Sequence, residues 1–168
     1  MHYVEQSEER IDAKTKAGGT ARFTADIPFP GTKVCRVVRS PHAHARIRGI
    51  DTAAAEKVPG VEAVITGEGC RSLFVDLGIA DQHPMAVDKV RHEGEAVAAV
   101  VADDKWAAAE AADLVNVDYE VLPPVLDIDT AVGEGAPLVH ERQGEYARGE
   151  GVNFEEGTSV YHHYRLRK

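Results

Sequence analysis

The chain has 168 residues and a formal net charge of −9; 43% of its residues are hydrophobic and 28% are charged. This length suits one domain, or one domain with a tail, and the composition is that of a globular protein. The acidic excess opposes a broad phosphate-binding surface, so we expect no nucleic-acid partner. The longest apolar run, Ala96 to Ala102, is far shorter than the ~20 residues that cross a bilayer, so we expect no membrane partner.

The cysteines and the N-terminus bear on location. Cys35 and Cys70 lie far apart and in no CxxC motif, which favours reduced thiols over a disulfide framework or a zinc site. The first residues, MHYVEQSEER, lack the charged and then apolar pattern of a signal peptide. We therefore expect a cytoplasmic location.

The first half of the chain predicts an arm followed by short elements. Residues 1–30 are polar, then glycine-rich, and end in prolines, which is typical of an arm with turns that leads into a domain. Alternating apolar residues, an aspartate cap and a Pro-Gly end then predict strands over Thr32 to Val38, His44 to Ile50 and Val61 to Thr66, and a helix over Thr52 to Val58. Residues 67–89 have no clear period, and we interpret them as a long excursion or a hairpin insertion.

The stretch from Arg91 to Pro124 predicts a strand, a helix and a second strand with almost no connecting residues. Ala96 to Ala102 are all apolar, as in a central strand covered on both faces. Apolar residues from Val115 to Val121 alternate with polar ones, which indicates a strand with one wet face, and Pro123 ends it. The chain thus contains two strand-helix-strand units, which predict an α+β domain with a mixed sheet.

The helix between these strands has a clear start and a clear inner face. Asp103 and Asp104 offer carboxylates to the free amides of a helix that we expect to begin at Lys105. We expect Ala108, Ala111, Ala112 and Val115 on the sheet side, and Glu110 and Asp113 on the water side. Trp106 is predicted to pack at the rim of this interface.

Regular patterns become rarer after Pro124. Asp127 to Ala131 predict one turn of helix, and Gly144 to Gly157 are typical of a solvated linker. The last residues, SVYHHYRLRK, are strand-like but have no predicted partner. This indicates that the chain stops where another domain begins, and we expect uncovered apolar surface near Tyr161, Tyr164 and Leu166.

The histidines form three candidate groups for metal binding or acid/base catalysis, and each group is better explained by a structural or surface role. His42 and His44 are spaced for one face of a strand, yet two ligands without a third do not make a metal site, so we interpret them as ordinary surface or turn histidines. His162 and His163 are adjacent and point to opposite faces of a strand. His92, Glu93 and Glu95 resemble an acid/base group, but charges at the mouth of a buried strand are commonly solvated.

Phosphate-binding and nucleophilic motifs are equally weak. The glycine pairs at Gly18 and Gly67 do not precede a helix with GxGxxG or GxxxxGK spacing, so both predict turns. Cys70 follows a flexible GEG, and only Arg71 is near enough in sequence to lower its pKa. The residues alone therefore indicate an α+β domain without a catalytic constellation.

Several segments together resemble one known family. These are the spacing of Arg10, Asp12, Lys16, Gly19, Ala21, Phe23 and Asp26, the segments RSPHAHARIRGID from Arg39 and VPGVEAVIT from Val58, and the pattern from Pro84 through VRHEGEAVAAVVADD to NVDYEVLPPVLDIDTAV. They resemble, in order, the start of the large molybdopterin-binding subunit of the xanthine dehydrogenase and aldehyde oxidase family. The resemblance runs from about Arg10 to His140 and implies an α/β-hammerhead domain over residues 31–140, with 141–168 as a linker and the start of a missing molybdopterin-binding domain.

The resemblance also implies an activity that belongs to a parent enzyme. The family's molybdenum hydroxylases oxidatively hydroxylate an aldehyde or an N-heterocycle, with water as the oxygen source. The resemblance implies molybdopterin (Mo) in the C-terminal domains of the same subunit, and 2Fe-2S clusters and FAD on iron-sulfur and flavin subunits or domains. The family's catalytic and cofactor residues lie beyond Lys168, so we assign no catalytic, cofactor-binding or metal residue here and expect the fragment itself to be inactive. The position of Met1 just before the matching residues resembles bacterial enzymes whose subunits are separate chains.

Two other functions are compatible with the residues. A stand-alone scaffold or protein-binding module with the same fold needs no catalysis, and its reading frame would end at Lys168. A small metal-binding protein that uses the histidines is the weaker alternative, because no diagnostic ligand spacing supports it.

Overall fold

The structure contains two three-stranded sheets and short helices. The computed structural model describes residues 10–27, 29–75, 79–147, 149, 155 and 157–160. The strands are β1 (Val34–Arg39), β2 (Ala45–Asp51), β3 (Val61–Thr66), β4 (Lys89–Val90), β5 (Ala96–Ala102) and β6 (Asn116–Val121). The α-helices are α1 (Ala13–Ala17), α2 (Lys105–Asp113) and α3 (Ile128–Val132), and single 3₁₀ turns span Thr24–Asp26, Ala55–Lys57, Gly67–Cys70 and Gln143–Glu145.

Residues 1–32 form one unit and residues 33–168 a second. In the first unit, α1 has no buried residue and is held by local contacts. The carboxylate of Asp12 lies 2.8 Å from Arg10 Nε and 2.5 Å from Lys16 Nζ, so both cations brace the start of the helix. Exposed pairs of this kind stabilise a helix only slightly.

The first sheet of the second unit is built on β5. This strand pairs antiparallel with β1 on one side and with β3 on the other, and five of its seven residues are buried. A strand with two neighbours and two covered faces must be apolar throughout, which its sequence satisfies. The predicted central strand is confirmed with the bounds expected from the sequence.

Helix α2 covers one face of this sheet. It begins at Lys105 as predicted, because Asp104 Oδ1 accepts hydrogen bonds from the amides of Trp106 (2.7 Å) and Ala107 (3.0 Å). Ala108 and Ala111 are buried at 1% and 0% exposure, so the helix approaches the sheet closely on its methyl face. As predicted, Glu110 and Asp113 are exposed.

Two details at this helix differ from the sequence-based expectation. Trp106 is 74% exposed instead of packed, because it lies about 200° around the helix from Ala108 and therefore off the buried face. Its ring lies 4.8 Å from Lys105 Nζ. Asp103 does not cap the helix either, since its carboxylate pairs with Lys33 at the edge of the sheet.

The second sheet has β2 at its centre. β2 pairs antiparallel with β4 and with β6, and a register shift between Ile47 and Gly49 bends it. The buried residues Ala45, Ala86 and Val90 join Val97 of β5 in one apolar cluster. The core thus extends from the first sheet into the second.

The strand arrangement differs from the predicted single mixed sheet. Every pairing between described strands is antiparallel, and the strands divide into two sheets. The reason is that β1 and β3 occupy both edges of β5, so β6 has no edge left there and pairs with β2. The α+β class holds, and each strand-helix-strand unit links different sheets.

The helix expected over Thr52 to Val58 is shorter than predicted. Only Ala55–Lys57 form a 3₁₀ turn, and Val58 is extended with φ −66° and ψ 126°. Val58 precedes Pro59, and the proline ring disfavours the helical conformation of the residue before it. The turn still buries Ala55 completely.

The remaining segments are irregular. Residues 67–89 contain the Gly67–Cys70 turn and an isolated antiparallel bridge between Val75 and Gln82. Helix α3 begins and ends one residue later than the turn predicted over Asp127 to Ala131. Asp127 caps it by accepting a hydrogen bond from the Thr130 amide at 2.7 Å. The strand-like residues 161–168 lie outside the described residues. None of the helices described is long and apolar enough to cross a bilayer.

Candidate functional site

A polar cleft lies where residues 138–147 meet the connection into β4. The Arg91 guanidinium donates from Nε to the Val139 carbonyl at 3.2 Å, and the Ala80 amide donates to the Ala147 carbonyl at 2.8 Å. A cavity of about 350 Å³ opens beside these contacts and is lined by Asp81, Arg91 and His140 among others. We call this region the Asp81 cleft and define it by Asp81, Arg91, His140 and Tyr146.

His140 and Asp81 face each other inside the cleft. His140 Nε2 lies 4.0 Å from Asp81 Oδ2, and His140 Nδ1 lies 3.1 Å from the Tyr146 hydroxyl. The two side chains are 23% and 10% exposed, respectively. The contact between His140 and Tyr146 also joins their rings edge to face, with centroids 5.6 Å apart.

The surroundings shift the pKa of both groups. Burial, followed by the positive charges of Arg91 and Lys89, lowers the pKa of His140 from 6.5 to about 4. Burial raises the pKa of Asp81 above its ordinary 3.8. His140 is therefore neutral at pH 7, and the cleft holds the two groups without a full ion pair between them.

A buried lysine secures the same segment. Lys89 of β4 is 4% exposed, and its Nζ lies 2.7 Å from Glu141 Oε1. Burial lowers the pKa of Lys89, and the hydrogen bond to Glu141 opposes this shift. Since a buried ammonium without a partner is costly, this pair fixes the chain next to His140.

The cleft lacks an activated nucleophile among the described residues. Thr158 and Ser159 line a small neighbouring cavity of about 40 Å³. Their hydroxyls donate to the carbonyls of Glu155 (2.8 Å) and Pro137 (3.5 Å) and not to His140. The hydroxyl that does face His140 is that of Tyr146, at 3.1 Å, and burial raises the pKa of Tyr146, so this hydroxyl is not activated as a nucleophile.

The first histidine pair does not converge. His42 packs edge to face on Tyr119 with ring centroids 5.0 Å apart. His44 is buried at 8% exposure, and its Nδ1 lies 2.7 Å from the Pro123 carbonyl. His44 lies in the bend before β2, as expected of a turn histidine, but it is not at the surface, because the carbonyl after β6 holds it inside. His162 and His163 lie outside the described residues.

Of the candidate acid/base group His92, Glu93 and Glu95, the structure brings His92 and Glu95 together. His92 Nδ1 lies 3.7 Å from Glu95 Oε2, and the His92 side chain is 69% exposed. The same Glu95 oxygen accepts the Arg91 amide at 2.5 Å. The carboxylate is thus committed to the turn before β5.

The glycine and cysteine candidates have structural roles. A Cβ at Gly67 would lie 1.9 Å from the Ala86 carbonyl oxygen, so this glycine permits a close backbone contact. Cys70 is buried, and Arg71 binds Glu68 and Asp88 at 2.7 and 2.9 Å. Within the described ranges, no group of three His, Cys, Asp or Glu side chains is placed to hold a metal ion.

Sequence patterns did not reveal the Asp81 cleft. Its members are separated by up to 65 positions, and of them only Arg91 lies in a segment singled out in the sequence. A signal that could have pointed to it is the apolar pair Leu138 and Val139 directly before His140. The cleft depends on how residues 138–147 fold back, which no short-range pattern specifies.

Comparison with known proteins gives consistent matches. A family model described as "Aldehyde oxidase and xanthine dehydrogenase, a/b hammerhead domain" matches residues 18–123. The 6-hydroxypseudooxynicotine dehydrogenase complex subunit gamma of Paenarthrobacter nicotinovorans is 40% identical over 159 residues, which cover 87% of this chain and 20% of the relative. The carbon monoxide dehydrogenase large chain of Afipia carboxidovorans is 41% identical over 137 residues, covering 79% and 17%.

Solved structures agree with these matches. A crystal structure of the Cu,Mo-CO dehydrogenase aligns with a TM-score of 0.75 at 34% identity, covering 90% of this chain and 19% of that one. The chain therefore spans about a fifth of the length of the curated relatives it matches.

Proposed function

Because the chain belongs to the a/b hammerhead domain family of aldehyde oxidases and xanthine dehydrogenases, we propose that it is the N-terminal structural domain of a molybdenum hydroxylase large subunit. The parent enzyme oxidatively hydroxylates an aldehyde or an N-heterocycle and takes the oxygen from water. The family match over residues 18–123 carries this proposal. The structural similarity to the Cu,Mo-CO dehydrogenase, which contains molybdenum by its name, supports the proposal.

The proposal divides the chain into three parts. Residues 1–30 are the arm, residues 31–140 the hammerhead domain, and residues 141–168 a linker with the start of a molybdopterin-binding domain. The Lys89 to Glu141 pair supports this division, because it fixes the chain at the point where the domain ends. We propose that the parent enzyme works in the cytoplasm of a bacterium.

An iron-sulfur cluster does not fit the described residues. A 2Fe-2S cluster is usually held by four thiolates, whereas this chain has two cysteines, one exposed and one buried. The described side chains also offer no metal-ligand cluster. We therefore place the iron-sulfur clusters on partner subunits or domains; on the family match, we propose molybdopterin in the later domains of the same subunit and FAD on partner subunits or domains. We assign no catalytic step to this chain.

The reading frame distinguishes this proposal from a stand-alone scaffold. The gene should continue past the codon for Lys168 for several hundred codons that contain glycine-rich cofactor loops. A stop codon directly after Lys168 would reject the large-subunit proposal and favour a binding module without catalysis. Sequencing the gene from the source genome gives the answer.

A further inference from the structure

The small cavity beside the Asp81 cleft has a polar lining. Its volume is about 40 Å³. One water molecule needs roughly 10–15 Å³ of such volume, so the cavity has room for a single small ion or a few waters. We call it the Gln143 cavity and define it by four oxygen-bearing side chains of its wall: Asp81, Gln143, Thr158 and Ser159.

The side-chain amide of Gln143 leaves its oxygen without a partner. Gln143 Nε2 donates to the Val160 carbonyl at 3.0 Å. This bond fixes the orientation of the amide, because the flipped amide would bring two oxygens together. Gln143 Oε1 is buried and has no hydrogen-bond partner among the described residues. A buried acceptor without a partner is costly, so a donor or a cation at this oxygen would stabilise the fold.

The carboxylate of Asp81 is a second buried group without a direct cationic partner. Its side chain is 10% exposed, and its contact with His140 Nε2 at 4.0 Å is too long for a hydrogen bond. That imidazole is neutral at pH 7, because its pKa is lowered to about 4. Arg91 acts on Asp81 through its charge alone. The guanidinium itself donates to the carbonyls of Val139 and Lys89, both at 3.2 Å.

Two hydroxyl oxygens complete this set. Thr158 Oγ1 donates to the Glu155 carbonyl at 2.8 Å and accepts from the Val160 amide at 3.1 Å. Ser159 Oγ donates to the Pro137 carbonyl at 3.5 Å. A hydroxyl that donates its proton elsewhere keeps lone pairs for another contact. The cavity wall therefore combines one carboxylate with three neutral oxygen acceptors.

Charge and size select the ligand. Water would supply a donor to the amide oxygen but would leave the buried carboxylate without a counter-charge. A divalent ion would need more than one carboxylate here, because the positive charges of Arg91 and Lys89 reach His140 on the same wall. An organic ammonium with a side chain exceeds the volume. Alkali ions, in contrast, are bound by sets of oxygen atoms such as backbone carbonyls.

We propose that Asp81, Gln143, Thr158 and Ser159 bind one monovalent inorganic cation, Na⁺ or K⁺. The ion ties the chain after the domain to the connection that precedes β4. Because three of the four oxygen donors are neutral, the site differs from a cluster of His, Cys, Asp and Glu, which the described part of the chain lacks. The proposal does not depend on the assignment to a molybdenum hydroxylase.

The choice of salt tests the proposal. A ligand that binds only the folded state raises the melting temperature. About 200 mM NaCl or KCl should raise the melting temperature of the chain about 3 °C above its value in the same concentration of tetramethylammonium chloride. Tetramethylammonium screens charges equally but is too large for the cavity. Equal melting temperatures in the three salts overturn the proposal.

A neutral variant shows where the ion binds. Asp81→Asn keeps the shape of the side chain and removes its charge, so the difference between the salts should disappear. The matched control is Asp113→Asn, which removes an exposed carboxylate on α2 and should keep the difference. A difference of the same size in Asp81→Asn contradicts the proposal. Gln143→Met, which keeps the side-chain length and loses Oε1, replaces Asp81→Asn if that variant does not fold.

NMR of the ions detects binding directly. The sodium-23 or the potassium-39 line should broaden more with the unmodified chain and with Asp113→Asn than with Asp81→Asn. The line that broadens identifies the ion. Equal broadening with all three proteins, or none, means that the cavity holds water only and overturns the proposal.

Discussion

The charge of His140 is set by the fold. Its imidazole is three-quarters buried between Asp81 and Tyr146, and its pKa is lowered to about 4. In the unfolded chain the same group takes up a proton near pH 6.5. Between these two values the unfolded state binds more protons, so the free energy of unfolding falls as the pH falls from 6.5 to 4.

His140→Asn should flatten this pH dependence. One pKa unit corresponds to about 1.4 kcal/mol, so the full effect of the His140 shift from 6.5 to about 4 is at most about 3.5 kcal/mol. The raised pKa of Asp81 acts in the opposite direction, because acid favours a carboxyl that is protonated more readily in the folded state. Urea unfolding at pH 7, 6 and 5 measures the slope.

The exposed His92 provides the control for this experiment. Its side chain is 69% exposed, so His92→Gln shows what the loss of a histidine outside the buried contacts of His140 does to the slope. An unchanged slope in His140→Asn would disprove the assignment. So would an NMR titration that places the pKa of His140 near 6.5.

Among the secondary-structure elements, the start of α2 gives two adjacent carboxylates different roles: Asp104 caps the helix and Asp103 does not. Asp104→Ala should cost about 1 to 2 kcal/mol of stability, because its Oδ1 caps two backbone amides. Asp103→Ala should cost less than about 1 kcal/mol, since Asp103 makes an exposed pair with Lys33. Thermal or urea unfolding of both variants tests this order, and a larger loss for Asp103→Ala would contradict it.

Elements governed by local pattern could be predicted from the sequence. β5 and β3 have the expected bounds, and α2 has the expected start, because strand periodicity and an aspartate cap act over a few residues. The helix over Thr52 to Val58 was overestimated, since its short apolar pattern could not outweigh Pro59. The exposure of Trp106 followed from its angle on the helix, which the rim prediction neglected.

Features that depend on distant residues were not predictable in this way. Strand partners are chosen across the whole domain, so the division into two antiparallel sheets was missed. The Asp81 cleft joins residues from two segments that are far apart in sequence. The resemblance to the xanthine dehydrogenase and aldehyde oxidase family, by contrast, is confirmed by the match over residues 18–123, because it combines many weak local signals in one order.

In the molecule as a whole, the contacts described above have structural roles. The buried ammonium of Lys89 pairs with the half-exposed carboxylate of Glu141 and holds residues 138–147 against β4. This pair supplies no reacting group. Under the proposed function, this chain serves in assembly and the chemistry lies in the rest of the subunit.

Molybdenum content tests this division most directly. The complete gene product and the 168-residue chain should be expressed in the same host that makes the molybdenum cofactor, purified, and compared by elemental analysis. We expect stoichiometric molybdenum in the complete product and none in the 168-residue chain. Molybdenum bound to the 168-residue chain, or its absence from a folded complete product, would disprove the proposed function.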